Sequence, residues 1–400
     1  MIERYRRNQA HRRRRLILIA RLLGVQLSSF RNRLSLEGQQ RRDRRIPRES
    51  LLPPSESAWA RLYSSRNDQS LITVTGFDHV AFDSLLDLFR GWFDNNTPWT
   101  GDHDGTTFRA LTGNGMIARG PQRIIDAKTC LGLVLAWYRF RGPEYILQGW
   151  FGFTGTHANV WLKFGRRGLL RCLQDHPDAA VKIPSDGVIA ELKEIVKQRH
   201  HLLEDVFAVC DGCKLYFESC ANLDEQSMYY NGWKCLHFIT NLFVFSVDGR
   251  CIILVTNAPG SVHDSTLAEW GGVYDVLEEV YNRTGAKCCV DSAFTSSNND
   301  YLIKSAQNFN SANSSDELLK MDQATSMRQA AEWGMRAIQS AFPRLTERIQ
   351  YEENGERRVF LLLVPLLYNF RLTRVGLNQI RNVYCPHWGV DAAYHITGNE

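Results

Sequence analysis

No uninterrupted apolar run in these 400 residues reaches the length of about 18 that a membrane-spanning helix requires, so no span and no membrane partner are expected. The longest candidate, FLLLVPLLYNF at 360–370, is short, carries Pro365 and reads as a buried helix. A secretory signal is also missing. The charged start followed by RRRRLILIARLL has neither a long apolar centre nor a small-residue cleavage site. The ten cysteines are therefore expected to be free thiols in a reducing compartment. No internal repeat is visible. Lysine is absent from residues 1–50, although these hold 15 arginines against four acids, a balance of +11.

Since the whole chain carries +5, the remaining 350 residues sum to −6. The runs Arg12 to Arg15 and RRDRR at 41–45 are dense enough to touch nucleic-acid phosphates or to serve as a nuclear address. The alternative is a solvated tail with no specific role. LILIARLL could also lie on a membrane surface, but nothing else in the chain supports that.

What is present suits a globular protein. An apolar content of 44% with 11% aromatics can bury a sizeable core, and the length predicts two or three domains. We divide the chain into an arginine-rich tail (1–50), a helical and loop-rich region (51–125), a helix-turn-helix-like region (126–200), a catalytic domain (201–345) and a helical extension (346–400). In the second region FDSLLDLFRGWFD at 82–94 is one clear helix. Residues 126–173 predict three more helices, with Pro143 near the start of the second and Thr154 capping the third. That third helix turns Val160, Phe164 and Trp161 inward, and Asn159, Lys163, Arg166 and Arg167 outward. A helix, a glycine-containing turn and a basic helix form the pattern that reads the major groove of double-stranded DNA. A plain bundle with a basic surface would look the same.

From residue 203 the period shortens. EDVFAVCDG at 204–212 predicts a strand ending at Asp211, and LHFITNLFVFSVDGRCIILVTNAPG two strands joined at an Asp248-Gly249 turn. DSTLAEW and VYDVLEEVYNRTG have helical spacing that stops at Gly285, and AKCCVDSAF is a short strand with Asp291 at its end. TSMRQAAEWGMRAIQSAFPRL at 325–345 is a long helix that Pro343 helps to end. The fold class is α/β, a mixed sheet with Asp211 and Asp291 on parallel middle strands. In such sheets ligands bind beyond the carboxyl ends of the strands. Two carboxylates there repel unless cations neutralise them, and Mg²⁺ or Mn²⁺ prefer such oxygen donors. On the long helix Met327, Ala331, Met335, Ile338 and Phe342 form an apolar stripe, and Glu332 stands about 100° from it at the margin of the buried face. It can reach the sheet edge as a third acid or pair with Arg328 or Arg336 on the surface. Zinc has a weaker claim. Cys210 and Cys213 have compatible spacing, and Cys288, Cys289, Cys385 and His387 could complete a site, but Cys210 lies in an apolar run and no second CxxC follows at finger spacing.

CDG at 210–212, YYNGWK with His237 at 229–237, PGSVHDS at 259–265, VDSAF at 290–294 and AAEWGMRAIQSAF at 330–342 occur in that order. Together they resemble the PIF/Harbinger superfamily of DDE transposases, over roughly residues 126–380 and including LLYNFRLTRVGLNQIRNVY. The resemblance implies an RNase H-like catalytic domain, three antiparallel strands followed by parallel ones. It implies Asp211 and Asp291 as the metal-binding aspartates, Glu332 as the helical glutamate, and two divalent ions held by them. His263 and Asp264 fall in a family signature. Asp264 caps the following helix, walls the metal site, or takes the place of Asp291 as second acid under another alignment; Asp291 is preferred because it ends a strand beside that of Asp211. Lys234 and His237 are candidates to grip substrate phosphate, or are ordinary strand residues.

The implied activity is cleavage and rejoining of DNA at transposon ends by two-metal phosphoryl transfer. The alternatives are a domesticated DNA-binding or scaffold protein that no longer cuts, and an RNase H-like nuclease acting on RNA or hybrids. The resemblance also implies a nuclear location, assembly of several copies on DNA, and a separately encoded Myb-like partner. Two departures stand out. Val290 replaces the glycine common before the Asp-Ser pair, and the arginine-rich start matches no family motif.

Overall fold

The computed structural model describes residues 46–101, 108–110, 123–219, 223–294, 300–304, 314–350, 354–376 and 378–385. The arginine runs of the amino-terminal tail, and His387, lie outside the described residues.

The chain opens with α1 (Ala58–Ser64), α2 (Asp68–Thr75) and α3 (His79–Asn95), the last containing the helix expected at 82–94. Each has a polar residue at its start, and the side chains of Ser57, Asn67 and Asp78 accept the backbone N–H three residues on. A two-stranded ribbon, β1 (Asn96–Gly101) and β2 (Phe108–Ala110), precedes α4 (Ala127–Arg139), α5 (Tyr145–Phe151), α6 (Gly155–Leu173) and α7 (Asp186–Arg199). The three helices expected within 126–173 are therefore present. Thr154 stands at the cap position of α6, but its hydroxyl meets His157 Nδ1 at 3.1 Å and makes no cap hydrogen bond.

The burial of α6 departs from expectation. Trp161, Phe164 and Leu169 face the core as its pattern requires, but so does Arg166, which is 0% exposed. Its guanidinium lies 3.3 Å from Glu356 Oε2, and the neighbouring Arg167, half-buried, pairs with the same carboxylate. Arg166 and Arg167 thus do not project outward as a groove-reading face. The correction has a physical cause: the helix carrying Glu356 arrives 190 residues later and covers that side of α6. Val160 is half-buried, Asn159 is exposed and Lys163 is half-buried.

The second half alternates strands and helices: β3 (Val206–Tyr216), α8 (Leu223–Tyr229), β4 (Tyr230–Asn231), β5 (Leu236–Ser246), β6 (Cys251–Pro259), α9 (Asp264–Trp270), α10 (Val273–Thr284), β7 (Lys287–Val290), β8 (Leu302–Lys304), α11 (Ser315–Ala341), α12 (Asn354–Val375) and α13 (Gln379–Tyr384). One mixed sheet results, in the order β4-β5-β3-β7-β8, with β6 also paired to β5. The pairs β3–β5 and β5–β6 are antiparallel, and β3–β7 and β7–β8 are parallel. Asp248 and Gly249 form the expected turn, with Gly249 at φ +92°, a value that favours glycine. Gly285, at φ +67°, ends α10 as expected.

Helix α11 begins ten residues before the expected 325, because the Ser314 hydroxyl accepts from the Glu317 N–H and starts it there. It stops at Ala341, one residue short of the pair Phe342-Pro343. Met327, Ala331, Ile338 and Phe342 are buried along its stripe, and Met335 packs against the same core. Helix α12 takes in the apolar run at 360–370, with Pro365 inside it. It lies between α6 and β6, where the side-chain amide of Asn369 accepts from the Cys251 N–H at 2.9 Å and donates to the Cys251 carbonyl at 2.8 Å. A single buried apolar cluster runs from Trp59 to Tyr384. Among the described residues, no helix is long and apolar enough to cross a membrane.

Candidate active site

Parallel pairing puts Cys210 of β3 opposite Val290 of β7, so the next residue of each strand is an aspartate, Asp211 and Asp291. The two carboxylates leave the sheet at one level. β7 ends at Val290, whereas β3 continues along β5, Asp211 facing Phe243 and Tyr216 facing Phe238. The expected strand end at Asp211 is corrected accordingly: what ends there is the parallel half of the sheet.

Asp264 joins them from α9. The cap position of that helix belongs to His263, which is exposed, and Asp264 is the first helical residue. The expected role of Asp264 as cap is therefore corrected. Its carboxyl group leans over Gly212, where an added Cβ would sit 2.4 Å from the Asp264 carboxyl carbon. Only glycine at 212 leaves room for this approach. Asp264 Oδ1 is buried there with no hydrogen-bond partner, which is costly for a carboxylate unless a cation compensates.

Electrostatics report the same crowding. Burial pushes Asp211 up to about 6; the Gly212 N–H and the Arg328 guanidinium pull it back, and the carboxylates of Asp291 and Asp264 push it further up. Asp264 is also raised, by burial first and by Asp291, against the opposing charges of Lys214 and His263. Asp291 Oδ1 accepts from the Ser292 N–H at 2.7 Å.

Glu332 comes from α11, which rests closely on the sheet. A Cβ on Gly334 would meet the Phe245 ring at 2.7 Å. Glu332 Oε1 lies 3.0 Å from Arg328 NH2, the surface pairing that its spacing allowed. Arg328 also reaches inward, its NH1 3.7 Å from Asp211 Oδ2. One guanidinium thus links the helical acid to the strand acid. Among the described residues, no three His, Cys, Asp or Glu side chains converge tightly enough to hold an ion as they stand. The donors nonetheless fit a hard divalent cation: they are carboxylate oxygens, and one of them, on the Asp264 carboxyl that Gly212 admits, is buried without a partner.

Lys234 and His237 are not brought to this cluster. Lys234 is exposed in the turn after β4, and His237 packs on the Tyr230 ring, 5.4 Å between centroids. Along β5, His237 is six residues from Phe243, the partner of Asp211, or roughly 20 Å at strand rise. Trp233, beside Lys234, is 91% exposed. The sequence reading passed over it, although a tryptophan in a turn between polar residues was a visible signal. It also passed over Gly212 and the inward reach of Arg328. Cys210, Cys213, Cys288 and Cys289 are all buried, and burial pushes the Cys213 and Cys289 thiols up to about 12, as suits core packing.

A pH dependence follows from Asp211. Its folded-state value of about 6 lies above the ordinary 3.8, so the folded protein holds this proton more tightly than the unfolded chain. Between those values unfolding releases a proton, and stability falls as pH rises through the window. Without added metal, the melting temperature of Asp211→Asn should therefore gain on that of the unaltered protein between about pH 4 and about pH 6. A constant gap across the range would contradict the raised value.

No curated protein and no solved structure matches the chain. Residues 210–367, which carry Asp211, Asp264, Asp291 and Glu332, match the family model described as DDE superfamily endonuclease.

Proposed function

We propose that this protein is a metal-dependent DNA endonuclease of the transposase type, of the PIF/Harbinger subgroup, that cuts double-stranded DNA at element ends and rejoins it. The observation that carries the reading is that Asp264, at the start of α9, comes up beside Asp211 and Asp291 where the parallel pairing of β3 and β7 ends, inside the segment matching the endonuclease family. The strand order, three antiparallel then two parallel, supports an RNase H-like domain. Asp211, Asp291 and Glu332 are the catalytic acids, and Asp264 shares the metal site. The ions that suit these donors, one or two of Mg²⁺ or Mn²⁺, supply Lewis-acid polarisation of the phosphodiester and activation of the attacking hydroxyl. The chain's own part is to hold the carboxylates in register, to admit the Asp264 carboxyl over Gly212, and to present Glu332 from a helix packed on the sheet.

The test uses the full chain with duplex DNA carrying element ends, with and without Mg²⁺. Strand cleavage only with metal is the expected result. DNA binding without cleavage at any metal concentration would favour the domesticated, non-cutting alternative. Within this test Asp264→Asn is informative, since asparagine keeps the shape of the side chain over Gly212 and removes only its charge. If Asp264 contributes to the metal site, the variant loses most of its cleavage while its melting temperature holds. Wild-type cleavage by the variant would leave Asp264 a structural residue.

DNA binding is assigned to two places. The arginine-rich tail supplies phosphate contacts and a nuclear address, and Asn159 with Lys163 supplies contacts from α6. Each phosphate contact contributes roughly 0.9 to the slope of log affinity against log salt. Deleting residues 1–48 should weaken binding to all duplexes alike and flatten that slope. Changing Asn159 and Lys163 to alanine should instead reduce preference for cognate ends, because base edges carry sequence. Equal loss on cognate and scrambled DNA would move end recognition to the Myb-like partner. Assembly of several copies on DNA completes the proposal.

A further inference from the structure

Arg328 occupies an unusual place. It is half-buried between α11 and the sheet, with one guanidinium nitrogen 3.0 Å from Glu332 Oε1 and the other 3.7 Å from Asp211 Oδ2. Asp211 also feels the charges of Asp291 and Asp264, and Asp264 in turn feels Lys214 and His263. Guanidinium is a permanent cation whose planar fork suits two carboxylates at once.

We propose that Arg328 is the resident counter-cation of the acid cluster, standing between Asp211 and Glu332 when no metal is bound, and that it must swing out before an ion can join these two acids. The inference rests on reading the acids as a metal site. The geometry carries it, because a cation shared by Asp211 and Glu332 needs the oxygens that Arg328 already engages. Arg328 is also what links Glu332, on α11, to Asp211, on β3. Since arginine stays protonated throughout the working pH range, only displacement can remove it. The fraction of molecules with Arg328 withdrawn then scales the apparent metal affinity. Arg328 is in this sense a positioning residue that sets how much metal the enzyme requires.

The test is Mn²⁺ binding by the full chain without DNA, followed by the loss of the free-ion paramagnetic resonance signal, together with melting temperature at each Mn²⁺ concentration. Arg328→Gln should bind Mn²⁺ roughly tenfold more tightly, on the view that a tenth of the unaltered molecules have the site open. Its melting temperature should be lower than that of the unaltered protein without metal, and should recover when Mn²⁺ is added. Arg328→Lys, which keeps the charge and loses the fork, should fall between the two, and it serves if the glutamine variant does not fold. Unchanged or weaker Mn²⁺ binding by the variants would overturn the counter-cation role while leaving the metal site standing. Absence of Mn²⁺ binding in the unaltered protein would overturn the metal reading itself, and this inference with it.

Discussion

Asp211→Asn is expected to lower metal-dependent DNA cleavage by about 10³-fold, corresponding to about 4 kcal/mol of lost transition-state stabilisation. The same result is expected for Asp291→Asn. Asparagine keeps the shape of the side chain and removes the charge, so a site that needs carboxylates to hold a cation fails while the sheet stays intact. Stability should move the other way. Asp211 carries a raised proton affinity caused first by burial, so its ionised form is uncomfortable in the folded protein. Removing that charge should raise the melting temperature near neutral pH, in the absence of metal. Loss of cleavage with a preserved or higher melting temperature separates a chemical role from unfolding. Full cleavage by Asp211→Asn would sink the catalytic assignment.

Glu356→Gln is expected to cost about 3–5 kcal/mol of folding stability, the usual result of removing one partner from a buried ion pair. Arg166 is fully buried, stacked 4.8 Å from the Trp137 ring centroid, and both it and Arg167 meet the Glu356 carboxylate. Neutralising that carboxylate removes the ionic partner that both guanidiniums share at this buried position. Against the total of roughly 5–15 kcal/mol typical of folded proteins, the loss is severe. Urea unfolding measures it directly. Replacing the pair together, with Arg166→Met and Glu356→Leu, should recover part of the loss, because the fully buried guanidinium leaves with its carboxylate while Arg167 is only half-buried. A single variant within 1 kcal/mol of the unaltered protein would mean that the ion pair is strongly solvated in solution.

The contrast between these two sites marks what the sequence could yield. Asp211 and Asp291 were legible because each closes a short apolar run, and strand ends are where a parallel sheet collects its chemistry. The Asp248-Gly249 turn, the stop at Gly285 and the apolar stripe of α11 were legible for the same reason: each is set by neighbours within one or two turns of chain. Arg166 was not. Its helical position pointed away from Trp161 and Phe164, and only the distant α12 turned that outward face into an inward one. Asp264 was half legible. Its place at a strand-to-helix junction was visible, but the contact across Gly212 depends on β3 and α9 meeting, which local pattern does not encode.

Asn369 has a consequence for the order of events at the ribosome. Its amide completes the main chain of Cys251, at the start of the edge strand β6, from 118 residues downstream. Synthesis proceeds at about 5–20 residues per second, so β6 waits roughly 6–24 s after it emerges before α12 can close over it. For that interval the main-chain groups of Cys251 at the start of this edge lack Asn369, and unpaired edge groups are the kind on which strands from other chains pair. Yield from the translation machinery is thus tied to the arrival of α12, a segment remote from every acid in the active site.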